Sequence, residues 1–328
     1  MNMAGPLGVL GGGAWGTALA QVLADGGSDV LLWARNGDVV EAINVRRENA
    51  VYLPGQRLSS RIRATQEPGD LAGAAALLVV TPSQSMRAVL SHFAPQGQSL
   101  ILCSKGIEAS SHLLMHEVAR EAMPGSPVAV LSGPTFAHEV AAGLPTAVTL
   151  AAEEEALARL LADVIARPTF RPYVSDDVVG AEIGGAVKNV LAIACGVVEG
   201  AGLGQNARAA LIARGFAEMT RFGLARGARP ETLAGLSGLG DLVLTCSSTS
   251  SRNFTLGQEL GRGQKASDLL ANRHTVAEGA FTAPVLLEAA RAQNIDMPVT
   301  EAVCALLSGA AEVDEVVASL LARPLRAE

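Results

Sequence analysis

Leu7-Gly8-Val9-Leu10-Gly11-Gly12-Gly13-Ala14-Trp15-Gly16-Thr17-Ala18 is the stretch on which the fold turns. A short apolar run, Leu7–Leu10, reads as a buried strand. It leads into G-x-G-x-x-G, and an Ala/Leu-rich helical pattern follows through Leu23. A lone G-x-G-x-x-G says little, but between a strand and a helix each glycine acquires a task. Gly11 permits the tight turn, Gly13 lets the main chain approach a pyrophosphate, and Gly16 lets helix and strand pack closely. The exposed N–H groups and the positive helix end would hold the phosphates. Trp15 and Ala14 sit at the loop tip. With aromatics only 3% of the chain, Trp15 is expected against the cofactor, with plain packing as the alternative.

Outward from this unit the same alternation continues. Apolar runs at Val30–Trp33, Ala75–Thr81, Leu100–Cys103, Val128–Leu131 and Thr146–Leu150 read as buried parallel strands. Helical patterns at Ser85–Phe93, Leu113–Glu121 and Glu153–Ile165 separate them. Such βαβ repetition implies a doubly wound α/β sheet of Rossmann type. The alternation stops near Pro172, and beyond Asp176 the pattern is helical. The helices expected there are Val178–Val198, Ala207–Arg226, Pro230–Leu236, Phe254–Gly261, Thr282–Gln293, Pro298–Leu307 and Val313–Leu321. The expected domains are a dinucleotide-binding unit over 1–180 and an all-α substrate and catalytic unit over 181–328. Two domains suit 328 residues, since a domain commonly takes roughly 100–200.

Composition narrows the class. Hydrophobic residues are 49% and charged residues 17%, which excludes disorder. With 25 Lys plus Arg against 32 Asp plus Glu the net charge is −7, so no global basic field holds nucleic acid and any anionic ligand needs a local site. The four cysteines, Cys103, Cys195, Cys246 and Cys304, form no C-x-x-C and are expected buried and reduced. The N-terminal stretch has no basic n-region or cleavage signature. The best apolar stretch, Val190–Val198, lies between Lys188 and Glu199 and is too short to span a bilayer, which needs about 20 residues. A soluble cytoplasmic protein is expected.

NAD sites carry an acid at the end of the second strand for the ribose hydroxyls. Here Arg35 occupies that place, followed by Asn36. A guanidinium there favours a 2′-phosphate, so NADPH is expected as cofactor, in preference to NADH. The alternative is a solvated Arg35 with Asp38 serving as the acid.

Carbonyl reduction also needs a proton donor near the developing alkoxide. Among the five histidines, His112 and His116 at i, i+4 on one helix suggest a metal pair, but no third ligand is evident and no metal is expected. His92, His138 and His274 have no obvious orienting carboxylate. Two lysines are better placed. Lys105 directly follows a buried strand, at the carboxyl edge where α/β sheets bind ligands. Lys188 lies mid-helix in Gly184-Gly185-Ala186-Val187-Lys188-Asn189, where a charge is costly without a partner and the glycines weaken the helix by about 1 kcal/mol each. A snorkelling surface lysine is the plainer alternative. Asp241, after the glycines of Ser237-Gly238-Leu239-Gly240, is the candidate partner. Ser248-Thr249-Ser250-Ser251-Arg252-Asn253 ahead of a helix combines hydroxyls, free N–H donors and a guanidinium fork, an arrangement suited to a substrate phosphate. An ordinary capping loop is the alternative.

These motifs together resemble the NAD(P)-dependent glycerol-3-phosphate dehydrogenases of bacterial type. The resemblance covers most of the chain: G-G-G-A-W-G-T-A at 11–18, S-K-G-I-E at 104–108, S-G-P-T-F-A at 132–137, G-G-A-V-K-N-V at 184–190, G-L-G-D-L-V-L-T-C at 238–246, S-R-N at 251–253, V-A-E-G at 276–279 and M-P-V-T-E at 297–301. It implies reversible hydride transfer between dihydroxyacetone phosphate and sn-glycerol 3-phosphate, feeding phospholipid synthesis. It implies Lys188 as proton donor and acceptor, with Lys105 and Asp241 beside it. Substrate contacts would come from Lys105, Gly133, Thr135, Lys188, Asp241, Ser251, Arg252 and Asn253. Cofactor contacts would come from Trp15, Arg35, Lys105, Ala137, Arg252, Val276 and Glu278. A cytoplasmic homodimer is implied too. The sequence departs from the family at Ala14, where a Ser is frequent, and at Asn36, where a second basic residue or His often follows Arg35. A β-hydroxyacid dehydrogenase, which shares a Rossmann unit and a helical Lys-Asn, is the rival enzyme. A noncatalytic nucleotide sensor is the rival from another class, although a sensor has no need of Lys188.

Overall fold

The computed structural model describes residues 5–93, 97–271 and 277–323. By internal contact the chain divides into two compact units, Met1–Glu108 with Leu113–Glu182, and Ala109–His112 with Ile183–Glu328.

In the first unit the strands are β1 (Leu7–Leu10), β2 (Val30–Trp33), β3 (Glu48–Asn49), β4 (Leu53–Arg57), β5 (Ile62–Thr65), β6 (Ala76–Val79), β7 (Ser99–Leu102), β8 (Val128–Ser132), β9 (Thr146–Ala151) and β10 (Phe170–Ser175). Eight of them form one sheet in the order β10-β9-β8-β7-β6-β1-β2-β5, and β3 with β4 forms a separate hairpin. The order reverses around β1, which pairs in parallel with β2 on one side and β6 on the other. The doubly wound sheet expected from the alternating pattern is therefore present, with its switch point at the strand that feeds the glycine loop.

Strand periodicity builds two cores, because successive side chains point to opposite faces. Leu7, Val9, Leu32, Leu78 and Ile101 pack on one face with Ala18, Leu19 and Leu23 of the helix Ala14–Asp25. Leu10, Leu77, Val79, Leu100 and Leu102 pack on the other with Met86, Met115, Val118 and Val178. Burying each such side chain contributes on the order of 1.5–3 kcal/mol. A charge at Val9, opposite both Leu32 and Leu78, would break the first core.

Thr146–Ala151 corrects one expectation: β9 runs antiparallel to β8, not parallel. The intervening helix, Ala137–Ala141, has five residues and is about 8 Å long, too short to return the chain along a strand of about 20 Å. The helix Glu155–Ile165 is long enough, and β10 is parallel to β9. Pro172 lies within β10 and is tolerated because β10 is an edge strand. At the opposite edge Asn44 closes both the N–H and the C=O of Ala64 in β5, at 2.8 and 2.9 Å, and Arg47 takes the Ile62 carbonyl at 2.8 Å. Side chains thus cover the exposed edge of the sheet.

The second unit is helical. Its main elements are Val178–Gly200, which begins in the first unit, then Gly204–Ala225, Asp241–Cys246, Arg252–Gly261, Glu278–Ala292, Pro298–Ser308 and Val313–Leu321. Val178–Gly200 has the length and composition to cross a membrane, unlike the shorter Val190–Val198 stretch read from sequence, but 94% of its apolar window is buried inside the protein. It crosses Arg252–Gly261 through glycines one turn apart on each helix. A Cβ at Gly196 would strike the Phe254 carbonyl, and one at Gly257 would strike the Ile193 carbonyl. Gly200 and Gly261 repeat the arrangement a turn further on, against Gln258 and Val197. The two backbones touch, and this fixes the helix that opens with Arg252 against the helix that carries Lys188.

Candidate active site

Around the glycine loop of the first unit, each glycine answers to a different neighbour. Gly11 has φ +130, and a Cβ there would lie 2.5 Å from the Val80 carbonyl oxygen. A Cβ at Gly16 would strike the Gly11 carbonyl. These two are glycine for the protein's own packing. Gly13 is different: its φ is −77, and no heavy atom lies within 4 Å of where its Cβ would be. Nothing in the protein requires a glycine there. The open flank at a helix N-terminus, with free main-chain donors, fits the pyrophosphate of a dinucleotide. Trp15 is half-buried and packs against the first core.

Arg35 is exposed just past β2. Its turn is held by the end of β5: Ala34 N–H donates to the Thr65 carbonyl at 3.0 Å, Trp33 Nε1 to the Gln66 carbonyl at 2.9 Å, and Gln66 Nε2 to the Arg35 carbonyl at 3.0 Å. Asn36 caps the helix Gly37–Glu41 by accepting the Asp38 N–H at 2.9 Å. Asp38 is exposed in the first turn of that helix. Sequence reasoning passed over Gln66, because nothing in a single Gln signals that it clasps a neighbouring strand.

At the carboxyl ends of β7 and β8, Lys105 is half-buried and its Nζ donates to the Gly133 carbonyl at 3.4 Å. Thr135 Oγ1 donates to the same carbonyl at 3.3 Å. Gly133 has φ +154, and a Cβ there would meet Val148 Cα at 2.9 Å, so a side chain would break this turn. Ala137 opens the helix Ala137–Ala141 immediately after. Lys105, Gly133 and Thr135 therefore form one group.

In the second unit Lys188 and Asp241 face each other at 2.5 Å, with side-chain exposures of 7% and 0%. Thr245 completes the cluster: Lys188 Nζ donates to its hydroxyl at 3.2 Å. Lys188 is thus a buried, paired cation rather than a snorkelling surface lysine. Two nearby glycines explain the close approach. A Cβ at Gly184 would strike the Ser237 carbonyl, and one at Gly238 the Leu233 carbonyl, so the tight turn Leu236–Gly240 lies directly on the Lys188 helix and starts Asp241–Cys246 there. Thr245 escaped the sequence reading, although it stands at i, i+4 from Asp241 on one helical face.

Asn253 is held from two sides. Its Nδ2 donates to Asn189 Oδ1 at 3.0 Å, and its Oδ1 accepts the Gly279 N–H at 3.0 Å. Ser251 is the N-cap of Arg252–Gly261, accepting the Phe254 N–H at 3.2 Å. Arg252 is exposed at the first helical position. Glu278 opens the helix Glu278–Ala292. Val276 and His274 lie outside the described residues.

The histidine pair is not on one helix. The helix begins at Met115, and His112 precedes it with φ +58. His116 is instead buried against Glu182, with Nδ1 to Oε2 at 2.6 Å and its N–H donating to Oε1 at 2.8 Å. Burial pulls its pKa down, but the hydrogen bond and charge of Glu182 outweigh this and hold it above the ordinary 6.5. Among the described residues no three His, Cys, Asp or Glu side chains cluster to hold a metal. Burial raises the thiol pKa of Cys103 and Cys246, as inert core cysteines require, and pushes even the half-buried Cys304 up to about 11.

Residues 6–158 match the family model described as the NAD-dependent glycerol-3-phosphate dehydrogenase N-terminus, and residues 177–318 match its C-terminus. The chain belongs to this family of NAD(P)-dependent oxidoreductases. It is 65% identical over 326 residues to a glycerol-3-phosphate dehydrogenase of Erythrobacter litoralis, covering 99% of this chain and 98% of the relative. With the Novosphingobium aromaticivorans enzyme it shares 64% over 324 residues, 98% of each chain. Among solved structures, glycerol-3-phosphate dehydrogenase from Coxiella burnetii superposes with a TM-score of 0.92 at 38% identity, covering 97% of this chain and 99% of that one.

Proposed function

We propose that this chain reversibly interconverts dihydroxyacetone phosphate and sn-glycerol 3-phosphate with NAD(P) as redox partner, and so feeds phospholipid synthesis. The observation that carries the reading is the buried Lys188–Asp241 pair within the family match. Gly11, Gly13, Ala14, Trp15, Gly16, Arg35, Lys105, Ala137 and Arg252, with Val276 and Glu278, would hold NAD(P)H, which when bound would supply the hydride. The chain's own residues handle charge and proton. Asp241 keeps the Lys188 ammonium charged and aimed, and Lys188 stabilises the oxyanion and protonates it. In the reverse direction the neutral amine accepts the hydroxyl proton. Lys105 adds a second cation beside the Gly133 and Thr135 turn.

Ser251, Arg252 and Asn253 take the phosphate. Ser251 spends a lone pair on its cap and keeps its O–H to donate. Asn253 spends its oxygen and one N–H hydrogen, so one hydrogen remains. Binding energy gathered at this remote end orients the reacting carbon. Arg35 makes NADPH the preferred cofactor. The protein works as a cytoplasmic homodimer.

NADPH oxidation with dihydroxyacetone phosphate is the test. Lys188→Met is expected to lose about 10²–10⁴-fold in turnover while still binding NADPH. Near-normal turnover in that variant, or equal reduction of an unphosphorylated triose by the wild type, would overturn the reading.

A further inference from the structure

Asn49 lies in β3 of the small hairpin and is only 1% exposed. Its Nδ2 donates to the Gly12 carbonyl at 2.9 Å and to Thr17 Oγ1 at 2.8 Å. A buried amide from outside the phosphate loop therefore holds the loop's central residue, 37 positions away in sequence. We propose that Asn49 is a positioning residue for the cofactor pyrophosphate, setting the peptide plane that aims the Gly13 N–H at the anion.

The argument is geometric. The described residues contain no cis peptide bond, so the Gly12–Gly13 peptide is trans. In a trans peptide the C=O and the following N–H point in opposite directions. Asn49 draws the Gly12 carbonyl toward itself, and the Gly13 N–H must then face away. It faces the side of Gly13 that no protein atom occupies within 4 Å of a virtual Cβ. Without the anchor this plane would be free to rotate, since Gly12 and Gly13 are the residues with least resistance to it. Gly12 itself is hemmed on its other side, where a Cβ would lie 2.6 Å from Ala34 Cβ.

The amide can stand only one way round. Flipped, Asn49 Oδ1 would face the Gly12 carbonyl, acceptor against acceptor. In the observed orientation Oδ1 finds no partner among the described residues, although it is fully buried. That cost is carried so that both donors reach the loop and the first turn of the helix behind it. An Asn whose task was only to fold the hairpin would direct its amide into the hairpin.

The inference rests on the cofactor site proposed above. Asn49→Ala and Asn49→Asp are compared with wild type by titrating 5′-ADP, which carries the pyrophosphate, and adenosine, which does not. Asn49→Ala is expected to raise the ADP dissociation constant about tenfold, the scale of one misaimed charge-assisted hydrogen bond, and to leave adenosine within about twofold. Asn49→Asp is expected to weaken ADP further, because it places a carboxylate behind the loop. Should both variants fail to fold, Thr17→Val removes one anchor of the same amide, and about a threefold loss confined to ADP is expected. ADP affinity unchanged in a folded variant, or ADP and adenosine weakened alike, would overturn the proposal. A wild-type protein that bound neither ADP nor NADPH would overturn the cofactor site itself, and this proposal with it.

Discussion

Glu218 offers a sharp test of the energetics. It is 1% exposed in the helix Gly204–Ala225, and its carboxylate caps the start of Pro298–Ser308. Val299 N–H donates to it at 2.6 Å, and Thr300 N–H and hydroxyl donate at 3.2 Å each. Two effects compete. Burial disfavours the charge, whereas the three donors and the helix dipole favour it. Burial prevails, and the carboxyl pKa rises from an ordinary 4.5 to about 7.

The sign of the pH dependence follows. Below pH 4.5 folded and unfolded chains both hold the proton, and the contribution to stability is complete. Between 4.5 and about 7 the unfolded chain has released the proton while the folded chain keeps it, so stability falls as pH rises. At about 1.4 kcal/mol per pH unit the total loss is about 3 kcal/mol. Glu218→Gln keeps the shape and removes the titration. Urea unfolding of both proteins from pH 4.5 to 8 should therefore show wild type losing about 3 kcal/mol relative to Glu218→Gln across that window. His116, whose pKa is also raised, contributes stability below its ordinary 6.5 that is lost as pH climbs, but it does so equally in both proteins and cancels. A constant difference between the two curves, or a wild type that gains stability with rising pH, would mean that the three donors win over burial and would refute the reasoning.

Other outcomes follow from single contacts. Lys188→Met strands the buried Asp241 carboxylate and should destabilise by about 3–5 kcal/mol; adding Asp241→Leu should recover most of that in denaturant melts without restoring turnover. Arg35→Ala should raise the Michaelis constant for NADPH about tenfold and leave that for NADH nearly unchanged, and Gln66→Ala, which frees the Arg35 carbonyl, should reproduce part of the effect; equal changes for both cofactors would remove Arg35 from 2′-phosphate recognition. Gly257→Ala drives a Cβ into the Ile193 carbonyl and should cost about 1–3 kcal/mol or more by thermal or urea denaturation; a variant as stable as wild type would show the helix crossing to be loose.

Central strands were the readable part of the fold. β1 and β6 to β8 are buried on both faces and therefore print as apolar runs, and β2, alternately buried and half-buried, is apolar throughout as well. β5 and β10 escaped because they are edges. Ile62-Arg63-Ala64-Thr65 and Phe170-Arg171-Pro172-Tyr173 alternate with charge and proline, the pattern of a half-solvated strand. The direction of β9 was not readable, because it depends on the length of a connection whose single helical turn carries no clear signature. The helix expected over Thr282–Gln293 begins earlier, at Glu278, and carries Pro284 inside it. In the second unit, Lys188 announced itself as a lone charge among small apolar residues, and Asp241 stood out after its glycines. Thr245, Asn189 and Gln66 did not. Their effect depends on which backbone passes close by, and that is a property of packing.

Glycine makes the limit concrete. The motif gives Gly11, Gly13 and Gly16 different tasks, but it does not show what each of them touches. Their surroundings separate them. Gly11 and Gly16 are required by contacts within the protein, so a sheet and helix that bound nothing would need them just as much. Gly13 has no such contact, and its freedom answers only to something outside the chain. The physical case for a bound dinucleotide therefore rests less on the count of glycines than on this one open flank. The opposite side of the same peptide is held by Asn49, from the hairpin, in a segment that no motif had singled out.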